Sequence, residues 1–322
     1  MSDSKGRVAP DQVERIGVVG AGTIGASWAS YFLARGYQVT VYDPSPTYET
    51  YVRDYVENAW PSLKELGVMT DDADPDQVAF TQDLAAAVKD VQFIQESVPE
   101  RIDIKHDVYD QIESAYDPEA VIASSASGLM PSELQKQAKY PARFVLAHPF
   151  NPPHLIPLVE VIGGEQTDPS AVNWTVDFYN GCAKQAIRLN KEVPGHVANR
   201  LQAAIWREAI HLVAEGVASV SDVDRAVAYG PGLRWAIFGP HLTFHLGGGG
   251  YGLDVFIERY RDSFHRWWDD LGNPELTEQV GQLLAAGIEE QEEGRSFEEL
   301  AAERDRKLVA MLRAFNQADS SE

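Results

Sequence analysis

The sequence predicts an α/β chain in two parts, a mainly parallel sheet wound with helices followed by an all-α C-terminal domain. Three observations predict it. In "RIGVVGAGTIGASWASYFLARGYQVTVYDPSP", residues 15–46, a β-branched run passes through clustered glycines into a helical pattern and out into a second strand. Short strand-like runs then recur as far as residue 189, with helical stretches between several of them. After "KEVPGHVANR" the pattern turns helical almost throughout.

Residues 16–19 read as the first strand, and residues 23–35 as a helix with Ile24, Trp28, Tyr31 and Phe32 at helical spacing. Gly36 ends that helix, and "YQVTVYD" makes a strand closing on Asp43. "YETYVRDYVENAWPSLKEL", residues 48–66, predicts a helix in which Pro61 opens or kinks a second segment. Further strands are expected at 78–81, 92–95, 121–124, 144–147, 158–162 and 186–189. The boundary falls near Pro194, giving an expected dinucleotide-binding domain over 12–193 and a helical substrate and dimerisation domain over 194–318. There, residues 198–216 predict one long amphipathic helix, and "YGPGLRW" and "HLGGGGYG" predict breaks. The polar ends, 1–12 and 318–322, are expected to be disordered.

Composition narrows the function classes. The 322 residues are 44% hydrophobic, enough to bury a sizeable core. With 49 acidic against 27 basic residues the formal charge is -22, which argues against a nucleic acid or an anionic membrane as partner, so anions must be held by local groups. Cys182 is the only cysteine, which excludes an internal disulfide, fits a reducing compartment, and reads as a packed structural thiol. The N-terminus has no apolar leader core, and no run approaches ~18 apolar residues. The expectation is a soluble cytoplasmic protein without a metal site that acts on a small molecule.

Gly20, Gly22 and Gly25 supply the chemistry of the first motif. Gly20 permits the tight turn, Gly22 lets the backbone approach a pyrophosphate, and Gly25 lets helix and strand pack closely, which is the Rossmann-type fingerprint. The helix opening at Thr23 and Ile24 offers free N–H groups to phosphate. Asp43 is placed to accept hydrogen bonds from the adenosine ribose and to repel a 2′-phosphate, so the expected cofactor is NAD.

Beyond the fingerprint, "GAGTIGASWA", "ESVPERIDIK", "ASSASGLMPSE", "AHPFNPPHLIPLVEVIGGE" and "KEVPGHVANRL" occur in that order, and together they resemble the 3-hydroxyacyl-CoA dehydrogenase family along nearly the whole chain. The resemblance implies a Rossmann domain, a helical domain that forms a homodimer, and hydride transfer to NAD. "ENAWPSLKELG", "GPGLRWA" and "GRSFEELAAERDRKLVAMLRA" are most similar to the branch that oxidises L-carnitine at its 3-hydroxyl, and next to the L-gulonate 3-dehydrogenase (lambda-crystallin) branch.

Oxidising a secondary alcohol requires a base for the hydroxyl proton and donors that steady the oxygen as it becomes a carbonyl. His148, just after a predicted strand, is the natural base. Glu160 lies far enough on for a strand to turn back beside it and fix the ring tautomer. Both match the family's catalytic pair. By the same resemblance Ser127 and Asn199 bond the reacting oxygen, and Ser125, Asn151, Glu100 and Lys105 line the cofactor cleft. Taken singly these residues have plainer readings, Ser127 as a helix cap and Asn199 as a helix start.

The segment "PTYETYVRDYVENAWPSLKELG" sets Arg53 and Lys64 against Glu49, Asp54, Glu57 and Glu65, a poor surface for a polyanionic CoA. Arg234 suits a free carboxylate, and Trp235, Phe238, Trp206, Phe244 and Tyr251 are candidates for a cage around a quaternary ammonium, although aromatics in a helical domain also serve as core. The function expected is NAD-dependent oxidation of a small free 3-hydroxy acid, L-carnitine first. An L-gulonate enzyme, an acyl-CoA enzyme and a non-catalytic NAD-binding crystallin are the alternatives.

Overall fold

The computed structural model describes residues 7–115 and 119–319. The opening motif becomes β1 (Arg15–Val19), α1 (Thr23–Ala34) and β2 (Gln38–Tyr42). The chain continues through α2 (Tyr48–Leu66), β3 (Val78–Thr81), α3 (Leu84–Val88), β4 (Phe93–Glu96), α4 (Ile102–Ala115), β5 (Val121–Ser124) and α5 (Pro131–Leu134). β6 (Phe144–Pro149), β7 (Leu158–Gly163), α6 (Pro169–Gly181) and β8 (Gln185–Arg188) follow. The eight strands form one sheet in the order β3-β2-β1-β4-β5-β6-β7-β8. Every neighbouring pair is parallel except β6 with β7, which is antiparallel.

Each face of the sheet carries its own apolar layer, because successive strand residues point to opposite sides. Phe93 joins Trp28, Phe32, Trp174 and Phe178 on one face, where its ring lies 4.3 Å from that of Phe178. Its neighbour Ile94 joins Tyr109, Ile122, Phe144 and Leu146 on the other. β4, β5 and β6 are buried along their whole length, the condition of central strands covered by helices on both sides. Cys182 lies in the first layer with its thiol 3.2 Å from the Tyr37 hydroxyl, and burial pushes it up to about 11, so it is an inert packed group.

Three local expectations are corrected. α2 runs through Pro61 as one helix. Residues 8–12 are not disordered, since Trp174 Nε1 donates to the Val8 carbonyl at 2.7 Å and residues 10–12 form a 3₁₀ turn. Residues 1–6 and 320–322 lie outside the described part. The break at "YGPGLRW" shrinks to Gly230, because Pro231 takes the first position of the next helix, where its missing N–H costs nothing.

Residues Ala198–Ala301 form a second unit. It contains α7 (Ala198–Ala214), α8 (Val220–Tyr229), α9 (Pro231–Gly247), α10 (Gly252–Asp270), α11 (Glu278–Glu292) and the first turn of α12 (Phe297–Asp319). Within it, Glu208 of α7 accepts the Gly272 N–H at 2.8 Å and so ties α7 to the segment after α10. α9 kinks where Gly239 (φ 67°, ψ 178°) precedes Pro240. "HLGGGGYG" is a short 3₁₀ turn between α9 and α10. From Ala302 onward the chain belongs to the first unit again. There Val309 packs with Leu66 and Leu155, and Arg313 meets Glu65 at 3.1 Å.

Candidate active site

The C-terminal ends of β1, β2, β4, β5 and β6 carry the candidate residues, as expected of an open α/β sheet. At the end of β1, Gly20 adopts φ +98°, and a Cβ there would lie 2.7 Å from the Ser97 carbonyl. A Cβ on Gly25 would come within 1.8 Å of the Gly20 carbonyl, so only hydrogen fits between α1 and the turn. Gly22 caps α1 without a side chain, and a Cβ there would meet nothing within 4 Å. The first turn of α1 therefore offers its N–H groups, with exposed Thr23 and half-buried Ile24, to an open space that suits a pyrophosphate. Asp43, just beyond β2, accepts the Ala21 N–H and the Ser45 N–H, each at 2.9 Å. It thus braces the glycine turn besides standing where a ribose is expected. These residues fit a dinucleotide, which when bound accepts the hydride.

β4 ends on Glu96, a residue that sequence reasoning passed over. Its carboxylate is fully buried and receives four donors: Lys105 Nζ at 2.6 Å, Val98 N–H at 2.7 Å, Ser124 Oγ at 2.7 Å and Tyr109 Oη at 2.5 Å. Burial, and then the Glu96 charge, raise the Tyr109 phenol well above its ordinary range, so it serves as a donor only. Lys105, expected along the cleft, is instead 1% exposed. Its ammonium is spent on Glu96 and the Val98 carbonyl, where it fixes the turn leading to Glu100. The signal was present in "FIQE", an acid ending a buried apolar strand.

Glu100 is exposed, and its Oε1 accepts the backbone N–H groups of Ser127, Gly128 and Leu129, those of Ser127 at 3.0 Å and Leu129 at 3.1 Å. It holds the loop after β5 and so places the half-buried Ser127 side chain. Ser125 shares a hydrogen bond with Ser97 at 2.9 Å and accepts from Gln95 at 3.0 Å.

β6 and β7 pair His148 directly opposite Glu160. The antiparallel turn-back inferred from the twelve-residue spacing is what brings them together. His148 Nδ1 lies 2.9 Å from Glu160 Oε2, with the imidazole 4% exposed and the glutamate fully buried. A carboxylate only accepts, so the network assigns the proton to Nδ1 and leaves Nε2 to take another. Glu160 Oε1 accepts the Val197 N–H at 2.8 Å. Asn151 stands exposed at the start of the β6–β7 loop. That loop is bolted to α1, since Ser27 Oγ takes the His154 N–H and pairs with its ring, each at 2.9 Å.

Within this family of motifs the comparisons with known proteins decide the assignment. Residues 15–193 match the 3-hydroxyacyl-CoA dehydrogenase, NAD binding domain, and residues 195–295 match the 3-hydroxyacyl-CoA dehydrogenase, C-terminal domain. The chain belongs to the 3-hydroxyacyl-CoA dehydrogenase family. It is an NAD-dependent oxidoreductase acting on CH–OH. Among its family relatives, the L-carnitine dehydrogenase of Streptomyces coelicolor is 47% identical over 95% of this chain and 96% of its own. That of Bacillus cereus is 44% identical over 94% and 92%. The structure of 5-formyl-3-hydroxy-2-methylpyridine 4-carboxylic acid 5-dehydrogenase, an NAD+ dependent dismutase, superposes with a TM-score of 0.81 at 32% identity, covering 95% of this chain and 99% of that one.

The remaining candidates lie in the second unit. Asn199 is half-buried at the start of α7. α9 carries Arg234, exposed, Trp235, half-buried with a buried and unbonded Nε1, and Phe238, 53% exposed. Arg234 and Phe238 are four residues apart and share one side of that helix. Trp206 and Tyr251 are exposed. Phe244 stacks on Phe256 at 5.0 Å and packs edge-on to Phe264 at 5.6 Å, so its ring is committed to the α9–α10 contact.

Proposed function

We propose that this dehydrogenase oxidises L-carnitine at its 3-hydroxyl to 3-dehydrocarnitine. One observation carries the chemistry: a buried imidazole held by a buried carboxylate at the C-terminal edge of a dinucleotide-binding sheet. The substrate rests on relatives of that name at 44–47% identity over nearly the full chain.

In this reading His148 Nε2 takes the hydroxyl proton as hydride leaves the carbon, and Glu160 balances the imidazolium that forms. Ser127 and Asn199 donate to the oxygen while it gains carbonyl character. Gly20, Gly22, Gly25, Thr23, Ile24 and Asp43 hold the dinucleotide. Ser125, Glu100 and Asn151 shape the wall beside it. Arg234 pairs the substrate carboxylate, and Trp235 and Phe238 present ring faces to the trimethylammonium. Against a CoA ester, α2 holds its Arg53 guanidinium on Glu49 at 3.0 Å rather than offering a run of cations.

The first unit serves the cofactor, and the second, which starts at Ala198 rather than near Pro194 and gives the chain back at Ala302, serves substrate and dimerisation. We also infer a homodimer working in the cytoplasm. Among the described residues no helix is long and apolar enough to cross a membrane. The test is NADH formation by the purified protein with L-carnitine, L-gulonate, 3-hydroxybutyrate and 3-hydroxybutyryl-CoA, compared by kcat/KM. L-carnitine ahead of the other three supports the proposal. Preference for the CoA ester overturns the roles given to Arg234 and α2.

A further inference from the structure

His196, in the segment "KEVPGHVANRL", occupies a costly position. Its side chain is fully buried, and neither ring nitrogen makes a hydrogen bond of ordinary geometry. The Ala126 carbonyl compensates the buried ring in part, where a wholly unsatisfied buried polar group would cost about 1–3 kcal/mol. Its backbone is left-handed at φ +52°, directly after Gly195 at φ +75°, an arrangement that a side chain with a Cβ resists. Something must repay both penalties.

Two contacts in the first unit do so. The His196 ring lies 5.2 Å from the ring of His148 at a tilt of 46°. The left-handed turn at His196 also delivers the next N–H, that of Val197, to Glu160 Oε1 at 2.8 Å. One residue therefore presses on the histidine of the pair with its side chain and on the glutamate with the adjoining amide. Phe150 adds a third restraint, edge-on to His148 at 5.5 Å.

We propose that His196 is a positioning residue, whose ring clamps the His148 imidazole in the plane that keeps Nδ1 on Glu160 and aims Nε2 at the substrate hydroxyl. This rests on His148 being the base. The charges that face His196 come from three elements: His148 on β6, Glu160 on β7 and Glu100 after β4. Burial, and then His148, lower the His196 pKa, while Glu160, the Ala126 carbonyl and Glu100 act the other way. Burial thus disfavours a charge on His196, the direction that avoids a second cation 5.2 Å from an imidazolium on His148. A neutral tilted ring instead offers polarisable surface to the imidazolium.

His196→Asn, which tolerates the left-handed backbone but removes the ring, tests this in the full chain. Expected are a kcat about tenfold or more lower and a KM for NAD within about twofold of the parent, because misaimed groups lose rate without losing binding. The second readout needs no turnover. The proton on His148 Nδ1, bonded to a carboxylate, gives a strongly deshielded proton resonance, assigned by its loss in His148→Gln. It is expected in the parent, and to broaden or vanish in His196→Asn. His196→Phe keeps a ring there and is expected to restore the resonance and most of kcat. An Asn variant with parental kcat and resonance overturns the proposal, as does a folded, NADH-binding Phe variant that loses both. If the parent oxidises none of the 3-hydroxy acids, the functional reading fails, and the resonance still decides whether His196 clamps His148.

Discussion

Glu160 is the residue on which the candidate site turns, because both its oxygens are engaged while it is fully buried. One holds His148 Nδ1 and the other the Val197 N–H. Glu160→Gln keeps the shape but removes the charge and sets an amide against the ring. The expected result is a kcat about 10²–10⁴-fold lower with NADH binding retained, read by steady-state kinetics and by cofactor fluorescence. A kcat within about threefold of the parent would remove His148 from the role of base. Asp43→Ala offers a second test, since this carboxylate braces the Ala21 N–H and is proposed to face the ribose. NAD affinity should fall and the preference for NAD over NADP should narrow, measured as the ratio of the two kcat/KM values. His148 and Glu160 were legible because a strand pair with a fixed spacing announces itself in the sequence. His196 was not, because its burial and left-handed turn depend on partners far away along the chain.

At the scale of elements, the glycine turn with α1 was read correctly from its pattern, and the structure supplies the magnitude. A methyl on Gly25 would sit 1.8 Å from a carbonyl oxygen, so Gly25→Ala must displace α1 from β1. Loss of about 3 kcal/mol or more is expected from urea denaturation, together with loss of NADH binding. What the pattern could not reveal is how the β6–β7 loop is anchored. Lys184, almost wholly buried, donates to the Pro153 and Ile156 carbonyls and lies 3.7 Å from the Tyr31 ring centroid. Burial lowers it from 10.5 to about 7. The folded state therefore releases this proton near pH 7, whereas the unfolded chain keeps it to about 10.5. Between those values the unfolded chain binds more protons, so this group makes the protein more stable as pH rises and less stable as it falls. Above pH 10 the buried phenols of Tyr109 and Tyr179, raised by burial, act in the opposite sense. The clean readout is the Tm difference between the parent and Lys184→Met, which should change in the parent's favour from pH 7 to pH 10. A difference that stays flat would mean that the ammonium is compensated.

At the scale of the whole molecule, the charge of -22 was plain from composition, but its consequence depends on where anions must bind. NAD approaches as an anion, and in the proposed binding mode backbone N–H groups at the start of α1 receive it with Asp43 nearby. L-carnitine is a zwitterion without net charge. The long-range field of the chain should therefore oppose NAD and ignore L-carnitine, and salt screens that field over a Debye length of about 10 Å at 0.1 M. Raising ionic strength from about 0.02 to 0.3 M is expected to increase kcat/KM for NAD, leave that for L-carnitine nearly level, and raise Tm as self-repulsion weakens. A fall in kcat/KM for NAD over the same range would point to a local cation that outweighs the global field. A parallel rise for both substrates would show that salt acts on the folded state as a whole. Comparing the two substrates in one titration thus separates steering from stability, which neither the composition nor the fold alone can do.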